Sequence, residues 1–172
     1  MHIRQPIQGQ RICLRNCQAS DIEFLSRMWL DAENGKYTSD PTPEYADEAF
    51  QKALQTLPDS PFGYYLVVQR TDTKQPVGSV SLFPDTDKKV YEIGYCIHKD
   101  HWRKGYATEA VELAIDWLRK TGAEKLTAQV ANENAASRAL LCKLGFRVAG
   151  QSSFQKYNMP VRFESLLYAR RL

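Results

Sequence analysis

The apolar positions change rhythm several times along the chain, and each change marks an element. "RICLRN" (11–16) alternates Ile12 and Leu14 with polar neighbours, the two-residue period of a half-buried strand. "DIEFLSRMWLDAEN" (21–34) sets Ile22, Leu25, Met28 and Trp29 at helical spacing, with Ser20 and Asp21 as cap candidates and Asn34-Gly35 as a stop. "TPEYADEAFQKAL" (42–54) predicts a second helix, with Pro43 near its start and Tyr45, Ala49, Phe50, Ala53 and Leu54 on one face. "GYYLVVQR" (63–70), "VGSVSLFP" (77–84) and "VYEIGYCIH" (90–98) read as three strands joined by the turns "TDTKQP" and "DTDKK", a meander.

Beyond residue 98 the period lengthens. "RKGYATEAVELAIDWLRKTG" carries Ala107, Val111, Ala114, Ile115 and Leu118 as one apolar stripe, stopped by Gly122. "KLTAQVA" (125–131) is a short strand. "NENAASRALLCKLG" is a further helix, capped by Asn132 or Asn134 and ended by Gly145, and "FRVAGQSSF" and "VRFESLLYARRL" are closing strands around a polar turn. The order is β-α-α-β-β-β-α-β-α-β-β, without linker or repeat, which predicts a single mixed α/β domain over residues 1–172.

Composition narrows the classes. Of 172 residues, 43% are hydrophobic and 25% charged, enough apolar content for one real core. A net charge of +3 without a lysine-arginine stripe argues against a nucleic-acid surface. No apolar run approaches the roughly 20 residues of a membrane helix, and "MHIRQPIQGQRICLRN" lacks a signal-peptide core, so a soluble cytoplasmic protein is expected. Cys13, Cys17, Cys96 and Cys142 read as reduced structural thiols, and His2, His98 and His101 are too scattered for a metal site, so no metal is expected.

The stretch "HWRKGYATEA" (101–110) joins a strand to a helix. Backbone N–H groups at a helix start have no intrahelical partner and carry the positive end of the helix dipole, so they favour an anion. Gly105 permits a positive φ and close approach, Ala107 keeps the turn small, Arg103 and Lys104 add charge, and Thr108 adds a hydroxyl. A pyrophosphate fits this chemistry, and an ordinary basic helix start fits it too. Neither the Rossmann fingerprint nor the P-loop pattern occurs.

"EIGYCIHKDHWRKGYATEAVELAIDWL" followed by "VANENAASRALLCKLGF" resembles the GNAT superfamily of acyl-CoA-dependent N-acetyltransferases, within the branch that holds the RimJ and RimL ribosomal-protein acetyltransferases. The likeness runs over about 11–170 and is specific over 92–146. The family's Gln/Arg-x-x-Gly-x-Gly/Ala motif is matched by Gly105-Tyr106-Ala107, with Trp102 in the first position. The resemblance implies a mostly antiparallel sheet flanked by four helices, with a parallel pair, 90–98 and 125–131, splayed around acetyl-CoA. The pyrophosphate would meet the backbone of Arg103, Lys104, Gly105, Tyr106, Ala107 and Thr108. The pantetheine arm would pair with Tyr95, Cys96, Ile97 and His98. Asn134 and Ser137 match an Asn-x-x-Ser segment, with Asn134 implied to bond the pantetheine amide.

Acetyl transfer to an amine needs a base, an oxyanion donor and an acid for the departing thiolate. Glu92 is the candidate base; by strand alternation it shares a face with Gly94, Cys96 and His98, while Ile93, Tyr95 and Ile97 share the other. Ser137 is the candidate acid, with Tyr106 and Tyr157 behind it, since the helix that often carries a tyrosine in relatives has none. A covalent Cys96–His98 relay is conceivable from spacing, but direct attack in a ternary complex needs none. The helical region 31–48 carries Asp31, Glu33, Asp40, Glu44, Asp47 and Glu48 against Lys36, an acidic rim that would attract a cationic amine; solvated helix faces explain it as well. Trp29, Tyr37 and Phe83 are candidate pocket walls, and Glu164 stands where this branch more often has Asp. The acceptor is a protein N-terminal α-amine or a small amine. An acyl-CoA-binding sensor without catalysis is the alternative, and both a monomer and a homodimer fit.

Overall fold

A computed structural model describes residues 1–172. Eight strands form one sheet in the order β1-β2-β3-β4-β5-β6-β8-β7, with β1 at Ile7–Gln8, β2 at Ile12–Asn16, β3 at Tyr64–Arg70 and β4 at Pro76–Pro84. β5 is Val90–Ile97, β6 Lys125–Ala131, β7 Arg147–Gln155 and β8 Arg162–Arg171. Every neighbouring pair is antiparallel except β5 and β6. The helices are α1 (Ile22–Leu30), α2 (Glu48–Gln55), α3 (Tyr106–Thr121) and α4 (Ala135–Lys143). The mixed fold with one parallel pair and four helices matches the sequence expectation; only the two-residue β1 escaped it, being too short to show a period.

Strand alternation divides the core between two layers. In β3, Leu66 and Val68 face α3 while Val67 faces α1 and α2. The larger cluster buries Ala110, Val111, Ala114, Ile115 and Leu118 of α3 together with Leu141 of α4 and Phe146. Leu118 is fully buried, so Leu118→Ala would cost about 2–5 kcal/mol in transfer and cavity terms. The smaller cluster packs Ile22, Leu25, Met28 and Leu54 on the opposite face.

Between α1 and α2 the chain departs from the pattern reading. α1 stops at Leu30 because Asp31 turns extended and its Oδ1 accepts the N–H groups of Glu33 (3.1 Å) and Asn34 (2.8 Å), a local turn that competes with the helix. Pro43 opens only a 3₁₀ turn, Pro43–Tyr45, and α2 begins at Glu48, capped by Asp47 through the Phe50 N–H (2.8 Å). The region 31–48 is therefore a folded connection rather than helix. Asp21 does not cap α1 with its side chain; it accepts the Gln18 N–H and pairs with Arg15 at 2.7 Å. No helix is long and apolar enough to cross a membrane.

Candidate active site

The site begins where two strands part. β5 and β6 pair only at Val90–Lys125, Tyr91–Leu126 and Glu92–Thr127. β4 holds β5 as far as Ile97, and β8 holds β6 as far as Ala131, so a wedge opens between strands each supported on its other side. The His98 N–H bonds Val77 O in β4 at 2.9 Å. Alternation then turns the backbone groups of Gly94 and Cys96 toward β4 as well, and those of Ile93, Tyr95 and Ile97 toward the wedge. Of the predicted strand-pairing set, Tyr95 and Ile97 thus face the gap, whereas Cys96 and His98 spend their backbone on the sheet. Ile97 O is already taken, by the Trp102 indole at 2.6 Å and Asn34 Nδ2 at 3.1 Å.

At the open end of the wedge stands the N-terminus of α3. Gly105, its N-cap, has φ +80°, and Arg103 is also left-handed at φ +62°. No side chain caps the helix, so the first N–H groups, at Tyr106, Ala107 and Thr108, are left for a ligand. Arg103, Lys104 and Gly105 are exposed, and Tyr106, Ala107 and Thr108 half-buried. Trp102, the departure from the family motif, fastens the turn to the end of β5 through its indole. Lys104 Nζ bonds Asp100 O at 2.9 Å.

Sequence reasoning passed over Arg11. Its Nη1 donates to Lys104 O (2.7 Å), its Nε to Glu109 Oε2 (2.9 Å), and its guanidinium lies 5.3 Å from the centre of the Tyr106 ring. Glu109 Oε1 accepts the Arg11 N–H at 2.8 Å, so one carboxylate ties β2 to the turn. Burial alone would push the Glu109 carboxyl up, but the Arg11 hydrogen bonds outweigh it and hold it below its ordinary value. A Cβ at Gly105 would lie 3.1 Å from Arg11 Nη2, so the cradle is closed from behind.

The wedge is bridged from the other side by α4. Asn134 is the cap of that helix: its Oδ1 accepts the Ser137 N–H at 3.1 Å. Ser137 Oγ lies 2.6 Å from the Tyr95 hydroxyl, and burial pushes that phenol up to about 12. A tyrosine thus reaches the predicted acid from β5, on the face opposite Glu92. Tyr157, by contrast, directs its hydroxyl to Asp47 (3.2 Å) on the surface, and the Tyr106 ring lies between Arg11 and His101.

Glu92 is exposed, opposite Phe83 of β4, on the face of the sheet that carries Cys96. The Cys96 thiol accepts from Asn34 Nδ2 at 3.1 Å, and burial pushes it up to about 12. His98 stacks on Phe24 at 6.1 Å and its Nδ1 takes the Asp100 N–H. Cys96 is therefore a packing residue whose thiol burial keeps in the neutral form, with no histidine bonded to it.

Several acids of the rim are already engaged, some by residues distant in sequence and one by a neighbour in its own helix. Lys99 pairs with Asp31 at 2.7 Å and Glu33 at 3.5 Å, Lys52 with Glu48 at 3.7 Å, and Asp47 caps α2 while accepting Asn158 Nδ2 at 2.7 Å. Asn34, read as a helix stop, is a buried linchpin that also receives the Lys99 N–H at 2.6 Å. Of the proposed pocket walls, Trp29 is anchored to Ser79 of β4 (3.2 Å), Phe83 packs on Tyr65 (5.6 Å) and Tyr37 on Phe163 (5.8 Å).

A sheet split around one parallel pair, with a bare, glycine-opened helix start at its mouth, is the architecture of an acyl-CoA-dependent transferase. The family model described as an acetyltransferase (GNAT) domain matches residues 11–147, and the chain belongs to that family. It is 25% identical over 167 residues to the uncharacterized N-acetyltransferase YoaA of Bacillus subtilis (strain 168), covering 95% of this chain and 94% of that one. RimL, a ribosomal L7/L12 α-N-protein acetyltransferase, shares the fold at TM-score 0.77 and 16% identity, over 99% of this chain and 96% of that one. The spermidine N-acetyltransferase of Vibrio cholerae, in complex with CoA and spermine, shares it at TM-score 0.79 and 19% identity, over 95% and 96%. The protein is an acetyltransferase of the GNAT type.

Proposed function

We propose that this chain moves the acetyl group of acetyl-CoA to a primary amine by direct attack within a ternary complex. The wedge between β5 and β6, opening onto the uncapped start of α3, carries this reading. The residues present fit the co-substrate: a diphosphate meets free N–H groups at a positive-φ glycine, and an extended arm meets the free edge of β5. Bound acetyl-CoA supplies the activated acyl group.

The chain supplies the rest. Glu92 lies on the α1 and α2 face, open to solvent, where it takes a proton from the incoming amine directly or through water. The backbone N–H of Tyr95, turned into the wedge beyond the last paired position, is a donor for negative charge that develops on the acyl oxygen. Ser137, on the other face and backed by the Tyr95 phenol, returns a proton to the departing sulfur.

The test is a thermal shift with acetyl-CoA, CoA and desthio-CoA on the wild type, on Gly105→Trp and on the double variant Arg103→Glu/Lys104→Glu. A ligand bound only by the native state raises the midpoint. The proposal expects a clear rise in the wild type that both variants lose, followed by thiol release when a primary amine is added. No rise at millimolar ligand would defeat it.

A further inference from the structure

The tip of the β7–β8 hairpin reaches across the carboxyl end of the wedge and docks on the α1–α2 connection. Lys156 Nζ donates to Gly35 O (2.6 Å) and Asp40 O (2.8 Å), and the Tyr157 N–H to Ser39 O (2.8 Å). Between the two segments lies a cavity of about 210 Å³ whose walls include Pro41, Met159, Val161 and Phe163, with Lys36 at its edge and Lys156 in its lining. Lys156 is only 6% exposed. Its two acceptors are neutral carbonyls, it forms no ion pair, and its third N–H has no protein acceptor. The Asp40 carboxyl offsets part of the Lys156 charge without reaching ion-pair distance, so the buried ammonium is only partly compensated. Burial accordingly lowers the Lys156 pKa, with the charge of Asp40 pulling the other way. Asp31, the acid in the lining, is already paired with Lys99.

We propose that this cavity holds the carboxylate of the acceptor, against the free N–H of Lys156 and with Lys36 at its edge. The acceptor is then an amino acid with an apolar side chain, which Phe163, Val161 and Met159 receive. Asp40 O accepts from Lys156, while burial pushes the Asp40 carboxyl up against the pull of the Lys156 charge. A polyamine, by contrast, would bring a second cation against Lys156. The inference rests on the acetyl-transfer reading and names its substrate class.

The full chain is assayed with phenylalanine and leucine, with their amides, and with phenethylamine and isoamylamine, which lack the carboxylate. The wild type is expected to show a KM at least tenfold lower for an amino acid than for its decarboxylated counterpart. Lys156→Met and Lys36→Glu should collapse that ratio toward one. Lys36 is exposed, so its variant carries the test should Lys156→Met fail to fold. A thermal shift with phenylalanine or leucine added to the CoA-saturated protein reads binding without turnover. If CoA itself gives no shift, the acetyl-transfer reading falls. If CoA stabilises but neither amino acid adds to it, or the amides and amines match the acids, the carboxylate site alone is overturned.

Discussion

The two sides of the wedge are built by different means. The side we assign to the cofactor is mostly backbone: the edge of β5, the left-handed Arg103 and Gly105, and the bare N–H groups of α3. The side we assign to the acceptor is side chains meeting across the chain, Asn34 with β5 and Lys156 with Gly35, 121 positions apart. Backbone geometry is encoded locally, by a glycine and a helix boundary, and suits a cosubstrate common to a whole family. Side-chain meetings can be exchanged one at a time without disturbing the sheet, which is how one fold serves many acceptors.

The comparison is broken most directly at Glu92, the base we propose on the acceptor side. Glu92→Gln should lower kcat by about a hundredfold or more, the usual worth of a positioned base, while leaving the thermal shift with CoA intact. A loss confined to KM would remove Glu92 from the chemistry. Next in size is Asn34→Leu. It strands the part-buried Lys99 N–H and unties the connection from β5, at a cost of about 1–3 kcal/mol. For a chain this long that is a fall of roughly 2–10 °C in the melting midpoint. Acceptor KM should rise with it and CoA affinity stay nearly constant; an equal loss of both would show that the two sides are one unit.

What the sequence made legible follows the same division. α3, its Gly105 entry and its Gly122 exit could be read because stripe, glycine and boundary lie within one stretch. The β3–β5 meander was legible for the same reason. The connection 31–48 misled because Asn34-Gly35 read as the stop of one helix and Pro43 as the start of the next, while Lys99 and Lys156, which engage it, lie far away in sequence. Arg11 and Tyr95 were invisible as side chains: a lone arginine before a strand and a tyrosine inside one have no local signal for Lys104 O or Ser137 Oγ. Cys96 and His98 were drawn into the cofactor set by their place in the strand, since which residues turn their backbone to the gap depends on a pairing with β4.

Arg11 sharpens the comparison from the cofactor side. Arg11→Met removes the donors to Lys104 O and Glu109 Oε2 but keeps the backbone donors to Glu109 Oε1. The pair is half exposed on the arginine side, so a loss of about 0.5–1 kcal/mol is expected, together with a severalfold weaker CoA shift. The Glu109 carboxyl lies below its unfolded value in the folded protein. Its contribution is therefore present above about pH 4.3 and is lost as pH falls through the folded pKa. The midpoint difference between wild type and Arg11→Met should be largest at neutral pH and close as the solution is acidified below about pH 4. A difference independent of pH would mean that the Arg11 stem, not the Glu109 pair, does the stabilising.

The smallest effect expected is at Tyr157, and it separates the hairpin's anchor from its decoration. Tyr157 lends its hydroxyl to Asp47 at the surface, but Asn158 reaches the same carboxylate at 2.7 Å and the Asp47 cap on α2 is independent of both. Tyr157→Phe keeps the ring against Phe50, 5.4 Å away, and the main-chain bond to Ser39 O. It should therefore shift stability by no more than about 0.5 kcal/mol and leave acceptor KM unchanged. A large KM change from so small an edit would place the hairpin tip, rather than Lys156 beneath it, in contact with the acceptor.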